Sequence, residues 1–212
     1  MSSSSSTECP ACGASRQAAR FDNTPYLLCP GCGMIVKDPS HHPDEAAERR
    51  RYELHSPVAD DGFVGILDRF LAEYADPFVV GGTALDYGCG RTGALLGLLA
   101  KRGFSAVGYD PLFFPDPAPL ARRYGLVTAT EVVEHFRDPF AAWARLASLV
   151  AAKGVLAVST RMVPPDFAGW WYRRDETHLT FYTPASLALL GRRFGLSVLA
   201  TDARTAIAFR RD

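Results

Sequence analysis

Four cysteines stand as two CxxC pairs, Cys9/Cys12 in CPACG and Cys29/Cys32 in CPGCG, with sixteen residues between Cys12 and Cys29. That spacing is a zinc ribbon: two tight knuckles, each followed by a glycine (Gly13, Gly33) that relieves crowding around the sulfurs. A four-thiolate site is closed and leaves no position for water. Its chemistry is therefore structural, folding roughly 30 residues that lack a core of their own. A redox dithiol or an unmetallated module is the alternative. A fifth cysteine, Cys89, stands alone.

A second concentration of donors is Glu131-Val-Val-Glu134-His135. Two carboxylates and an imidazole this close can hold a hard or borderline divalent ion if they converge. The plainer alternative is a helix-capping glutamate and a satisfied histidine. Further on, MVPPDFAGWWYRRDETHLTFY lies between Arg161 and Thr183, too long and too aromatic for a simple connection. Its Trp171, Tyr172, Arg173 and Arg174 are candidate substrate contacts, since aromatic faces with two guanidinium groups suit a planar or anionic molecule. A self-packed lid with structural Arg-Asp pairs is the alternative. His135 and His178 are the candidate general bases.

The third motif is LDYGCGRTG, with glycines at Gly88, Gly90 and Gly93. Dinucleotide enzymes share this pattern, so the acid before it discriminates. Asp86, two positions before the first glycine, would repel a pyrophosphate resting on the loop. S-adenosylmethionine carries no phosphate but has an ammonium and a sulfonium, and an acid there attracts it. Asp110, at the end of the next strand, is placed to accept hydrogen bonds from both ribose hydroxyls.

These residues need a scaffold, and the hydrophobic patterning supplies one. Phe63, Ile66, Leu67, Phe70, Leu71 and Tyr74 repeat at helical spacing and predict an amphipathic helix. Strands are expected over 83–87, 105–109, 126–130 and 155–160, with helices over 93–102, 138–151 and from the Thr183-Pro184 cap to about Phe194. Short strands over 196–200 and 205–209 finish the chain. Alternating strand and helix predicts an α/β fold, a Rossmann-like and mostly parallel sheet ending in an antiparallel hairpin. The expected organisation is a disordered leader over 1–8, including Ser2–Ser6, a zinc ribbon over 9–40, a charged helical connector over 41–80 and the cofactor-binding domain over 81–212.

In LDYGCGRTG, VGYDP, TEVVEHFRDP and GVLAVST, in that order, the sequence resembles class I S-adenosylmethionine-dependent methyltransferases over about residues 50–212. The resemblance implies a sheet whose last strand is antiparallel, with Asp86, Gly88, Gly90 and Gly93 lining the cofactor, Asp110 holding its ribose, and Glu131 beside it. Tyr52 and His55, in the segment RYELH, resemble the family's cofactor-covering region. The full Glu-x-x-Glu-His looks like the metal-dependent subset, in which Glu131, Glu134, His135 and, by position, His178 would bind the ion. One departure stands out: only fifteen residues separate Asp110 from Leu126, and Pro111, Pro115, Pro117 and Pro119 crowd them. The family's third strand is therefore expected to be missing, and Phe113 and Phe114 are candidates to cover an adenine.

Composition bounds the function. The chain has 212 residues, 48% hydrophobic, with 23 basic and 23 acidic side chains. A net charge of zero gives no general attraction to nucleic acid or anionic lipid, although Arg49–Arg51 with Arg173–Arg174 could make a local patch. The longest apolar run, near Ala94–Ala100, falls far short of the ~20 residues that span a bilayer. The expectation is a cytoplasmic methyltransferase acting on a small-molecule oxygen, nitrogen or sulfur nucleophile, with S-adenosylmethionine, zinc and a possible second divalent ion as cofactors, nucleic acid disfavoured as a partner and no membrane. An RNA or protein methyltransferase recruited through the ribbon is the alternative, followed by a non-catalytic interaction protein.

Overall fold

The computed structural model describes residues 8–54 and 61–212. The Ser2–Ser6 leader and His55 lie outside the described residues.

The cysteine module opens with the hairpin β1 (Gln17–Phe21) and β2 (Thr24–Leu28), followed by β3 (Ile35–Lys37). Two helices come next: α1 (Glu45–Leu54), inside the expected connector, and α2 (Asp61–Tyr74). Leu67, Phe70, Leu71 and Tyr74 of α2 are buried, whereas Ile66, expected on the same stripe, is 64% exposed. The stripe is narrower than the periodicity suggested because α2 rests on the sheet along one line.

The main sheet is built from β4 (Gly82–Tyr87), β5 (Phe104–Tyr109), β6 (Tyr124–Thr130), β7 (Val150–Ser159), β9 (Leu196–Thr201) and β10 (Ala206–Arg211), in the order β5-β4-β6-β7-β10-β9. Neighbours from β5 to β7 are parallel, and β10 runs antiparallel to both β7 and β9. The antiparallel strand therefore sits one place inside the edge, and β9 at the edge runs with the parallel set. Beyond Asp110 the described residues form a turn, an Asp110-Phe114 bridge and a short 3-10 turn at Ala118–Ala121, with no strand on the outer side of β5. Prolines that cannot donate to a ladder enforce this.

Three helices connect the strands: α3 (Ala94–Lys101), α4 (Pro139–Leu149) and α5 (Pro184–Arg193). Asp138 caps α4 on the Ala141 N–H, and Thr183 with Ser186 forms a capping box on α5. Helix α4 stops before Val150, which pairs with Tyr124 instead of extending the helix.

Alternation along the strands divides the core in two. Ala84, Leu126, Val155, Ala157 and Ala208 face α2 and α3. Leu85, Val127, Leu156, Val158 and Phe209 face the other way, into a cluster that contains Trp143, Leu187 and Leu190 and also Cys9, Cys29, Cys32 and Met34. The cysteine module thus shares the core of the main body. It also shares a sheet, because β3 pairs with β8 (Thr180–Phe181) to give the order β1-β2-β3-β8.

Candidate functional site

The four thiols of Cys9, Cys12, Cys29 and Cys32 converge, every Sγ lying within 4.8 Å of the others. The closest pairs are Cys9-Cys32 at 3.5 Å and Cys12-Cys29 at 3.3 Å, near the roughly 3.8 Å edge of a tetrahedron with 2.3 Å zinc-sulfur bonds. Each knuckle is closed by backbone bonds, from Gly13 to Cys9 and from Gly33 to Cys29. All five cysteines, Cys89 included, are free thiols. The second knuckle is bolted to α5: Thr183 donates its hydroxyl to the Cys32 carbonyl at 2.5 Å.

At the carboxyl edge of the sheet, β4 delivers Asp86 and then the glycine turn. The Gly88 and Cys89 N–H groups donate to the Tyr109 carbonyl at 2.7 and 3.1 Å, binding the turn to β5. Gly88 has φ +77°, and a Cβ there would stand 2.4 Å from Val132 Cγ2, so both conformation and space demand glycine. Gly90 and Gly93 also have positive φ. Asp86 is 2% exposed and accepts the Thr128 hydroxyl at 2.8 Å; burial pushes its acid up to about 7.

Asp110 departs from expectation. Its Oδ1 accepts the Leu112 and Phe113 N–H groups at 2.9 and 3.0 Å, and its Oδ2 accepts that of Gly90 at 3.1 Å. A carboxylate has about four lone-pair sites, so Asp110 has room for one further donor while it closes the glycine turn. Accepting both ribose hydroxyls would require one of these three N–H groups to let go. Phe113 lies under the Arg91 guanidinium at 5.1 Å, while Phe114 is 42% exposed.

Past β6 the second cluster forms. Glu131 has φ +53°, a left-handed conformation that a glutamate adopts only where its surroundings enforce it. Its N–H donates to the Ser159 carbonyl and its Oε1 accepts the Ser159 hydroxyl at 3.1 Å. The Tyr172 hydroxyl stands between Glu131 Oε2, at 3.0 Å, and Glu134 Oε1. Although Glu131 keeps a face open to solvent, the protein packed around it and then the Glu134 carboxylate push its acid to about 7. Burial does the same to Glu134, which is fully buried and whose Oε2 has no hydrogen-bond partner.

Glu134, His135 and His178 each bring one ligand atom within 4.8 Å of the others. His135 Nδ1 lies 2.9 Å from the Thr177 carbonyl and His178 Nδ1 lies 2.8 Å from the Tyr172 carbonyl. A carbonyl only accepts, so both Nδ1 atoms carry protons and both neutral rings keep the Nε2 lone pair available. Burial lowers both histidines, His178 to about 4, which keeps the rings neutral at pH 7. Two neutral imidazoles and a buried carboxylate whose ligand atoms converge suit a borderline divalent cation. Glu131, expected as a fourth ligand, is outside this set, because its left-handed backbone turns the side chain to Ser159 and Tyr172.

Tyr52 of α1 covers this end, its ring edge-on to His135 with centroids 5.3 Å apart. Arg51-Asp175 and Arg137-Glu48 ion pairs hold α1 down. Of the expected substrate contacts, Trp171 is 61% exposed and Arg174 is also exposed; with Arg51, Asp175 and Glu176 they line a cleft of about 370 Å³. Tyr172 and Arg173 are buried instead. Arg173 bonds the Phe167 and Ala168 carbonyls and pairs with Asp22 at 2.6 Å, so it joins the aromatic segment to the cysteine module and is withdrawn from the substrate surface. Of the expected basic patch, Arg51 and Arg173 are each held by an aspartate, while Arg49, Arg50 and Arg174 are exposed. Sequence reasoning missed Thr128, Ser159 and the Thr177 carbonyl. Ser159 stood at a strand end, the only signal available, while Thr128 inside β6 and the Thr177 carbonyl have none.

A parallel sheet with a glycine turn after its first strand, acids ending the first two strands and donors gathered at the carboxyl edge define a class: a cofactor-binding α/β transferase. The chain belongs to the methyltransferase domain family, which matches residues 59–201, and it is an S-adenosylmethionine-dependent methyltransferase. Among solved structures it is similar to the 1,6-didemethyltoxoflavin-N1-methyltransferase of Burkholderia thailandensis, at 17% identity and TM-score 0.54, covering 92% of this chain and 99% of that one. It is also similar to mitomycin 7-O-methyltransferase, at 15% identity and TM-score 0.56, covering 81% of this chain and 59% of that one. An O-methyltransferase family protein from Burkholderia thailandensis aligns at 15% identity and TM-score 0.52, over 80% of this chain and 60% of that one. Curated protein sequences give no match. Among the described residues no helix is long and apolar enough to cross a membrane.

Proposed function

We propose that the enzyme methylates an oxygen, nitrogen or sulfur nucleophile on a small molecule, and that residues 9–40 form a structural zinc ribbon. The observation that carries the reading is the convergence of Glu134, His135 and His178 at the same sheet edge as the Gly88 turn and Asp86. The 1,6-didemethyltoxoflavin-N1-methyltransferase, whose structure holds 1,6-didemethyltoxoflavin and S-adenosylhomocysteine, supports a small-molecule acceptor.

When bound, S-adenosylmethionine supplies an electrophilic methyl group on a sulfonium. Asp86 would receive its ammonium, and the Gly88–Gly93 turn, lacking side chains, would let the cofactor approach the backbone. Asp110 would accept a ribose hydroxyl at its remaining lone pair. Tyr52 and Trp171 would exclude water and orient the acceptor in line, which is the main contribution a protein makes to this substitution. With no ion on those atoms, the acceptor's proton would pass to Nε2 of His135 or His178, both neutral and unprotonated there. A divalent ion held by Glu134, His135 and His178 would supply Lewis acidity to an acceptor hydroxyl.

The test is transfer of labelled methyl from S-adenosylmethionine to a panel of phenols, hydroxy acids, amines and thiols, with short RNA and protein included. Label in a small molecule supports the reading. Label confined to RNA or protein favours macromolecular recruitment, and absence of cofactor binding by calorimetry removes the enzymatic reading altogether.

A further inference from the structure

Lys37, the last residue of β3 in the cysteine module, is 4% exposed. A buried ammonium is costly unless its donors are met. The Lys37 Nζ donates to the carbonyls of two consecutive residues far along the chain, Asp175 at 3.1 Å and Glu176 at 3.0 Å. The next carbonyl, that of Thr177, is the one that receives His135 Nδ1. The residue after that is His178. Leu179 then closes the segment: its carbonyl accepts the Lys37 N–H at 2.7 Å, and its N–H donates to the Glu134 carbonyl at 2.8 Å. Residues 175–179 are therefore clamped between Lys37 on one side and Glu134 on the other, and all three members of the acceptor-side cluster touch or belong to the clamp.

We propose that Lys37 is a positioning residue: its ammonium fixes the 175–177 turn so that the Thr177 carbonyl holds His135 in the Nδ1–H tautomer, with Nε2 presented to the site. This rests on the reading of Glu134, His135 and His178 as the acceptor-side set. It gives the ribbon a part in the chemistry, because β3 is anchored by the second cysteine knuckle at one end and ends in Lys37 at the other. The backbone pairing of Ile35 with Phe181 and Val36 with Thr180 holds β8 without the lysine side chain, so the ammonium's contribution can be removed separately.

The experiment compares Lys37→Met, which keeps the aliphatic stem and loses the donors, with Lys37→Arg, which keeps donors, after circular dichroism has shown each to be folded. Heteronuclear NMR of the imidazole nitrogens in the metal-free protein should show His135 as the Nδ1–H tautomer in the wild type, a shift toward Nε2–H in Lys37→Met and recovery in Lys37→Arg. Cobalt(II), added to protein whose ribbon is already zinc-loaded, should bind Lys37→Met about 10–100-fold more weakly, the usual consequence of losing an outer support of a metal-binding histidine. Affinity for S-adenosylmethionine should stay within about twofold, since the Lys37 ammonium bonds only the Asp175 and Glu176 carbonyls and does not reach Asp86, the Gly88–Gly93 turn or Asp110. A wild-type tautomer and wild-type cobalt affinity in Lys37→Met, with both lost in His135→Ala, would overturn the positioning role and leave the site reading intact. Absence of cobalt binding in the wild type, with full activity in His135→Ala and His178→Ala, would overturn both. If Lys37→Met does not fold, Lys37→Gln serves as the second variant, with the same readouts.

Discussion

The Thr128 hydroxyl donates to Asp86 Oδ1 at 2.8 Å, across the gap between β6 and β4, in a site where Asp86 is 2% exposed. One hydrogen bond does not offset that burial, and the acid rises to about 7. An aspartate in the unfolded chain titrates near 3.9 (roughly). The native state therefore keeps its proton longer, and the free protein's stability, full below about pH 4, declines as pH rises to about 7. A cationic ligand end selects the carboxylate, so cofactor affinity should increase through pH 7 and level off above it. Asp86→Asn should abolish the pH dependence of binding, reduce that of stability, to which Glu131 and Glu134 also contribute, and weaken binding by about 1.5–3 kcal/mol at pH 8. Calorimetry at pH 6 and 8 on both proteins checks this; parallel profiles would remove Asp86 from the cofactor site.

The glycine turn makes a separate prediction about stability. Gly90→Ala meets nothing within 4 Å and carries only the cost of its φ of +63°, about 1–2 kcal/mol for a left-handed L-residue. Gly88→Ala carries that cost and the 2.4 Å approach to Val132. It should be the more destabilised of the two in urea unfolding, and Val132→Ala should recover part of the difference. Equal losses would show that conformation alone requires glycine at Gly88.

Most of the sheet was legible because each strand is a short, largely apolar run bounded by turn residues, and Asp86 and the glycine turn were legible because their order is local. What was not legible depends on pairing at a distance. Nothing in the run from Thr180 to Tyr182 marks β8 as the fourth strand of the cysteine module, and nothing near Arg173 points to Asp22. That Glu131 stands apart from the Glu134, His135 and His178 cluster was not legible, since its backbone φ has no signature in a non-glycine sequence. Helix α1 was expected as part of a charged helical connector but without a partner, because its anchoring comes from ion pairs rather than from an apolar stripe.

Because Cys9, Cys29 and Cys32 pack in the same cluster as Trp143 and Leu187, loss of the thiolate site should not stay local. The purified protein should hold about one zinc per chain in its ribbon, measured by elemental analysis on reduced protein. Cys29→Ser should lower hydrogen-exchange protection in β1 to β3 and also in residues 160–183 and the first turn of α5, while β4 and β5 keep theirs. Protection lost only in the cysteine module would mean that its contacts with α5 and β8 contribute little.

Arg173 and Arg174 are neighbours with opposite fates. Arg173→Met leaves the Phe167 and Ala168 carbonyls without their donor, and should cost about 1–3 kcal/mol of stability with the acceptor KM little changed. Arg174→Ala and Trp171→Ala, at the cleft, should leave stability within about 0.5 kcal/mol and raise the acceptor KM. Thermal unfolding with steady-state kinetics separates the two patterns, and a KM effect confined to Arg173→Met would reverse the assignment.

The sharpest consequence concerns Glu134, His135 and His178. A chelator that leaves the ribbon zinc in place should abolish turnover, and iron(II), manganese(II) or cobalt(II) should restore it, since a carboxylate with two imidazoles suits these ions better than calcium. His135→Ala and His178→Ala should lose the metal response while binding S-adenosylmethionine about as well as the wild type. Glu134→Gln preserves the volume beside Tyr172 and removes the anionic ligand, so its metal affinity should fall more than that of Glu131→Gln, whose carboxylate faces Ser159 and Tyr172 and lies outside the donor set. Equal effects of the two glutamines would place Glu131 among the ligands and require its left-handed turn to open on binding. Activity that survives exhaustive chelation but not His178→Ala would make His178 a general base, and the orphaned Glu134 Oε2 would then be the partner of a substrate donor instead of an ion.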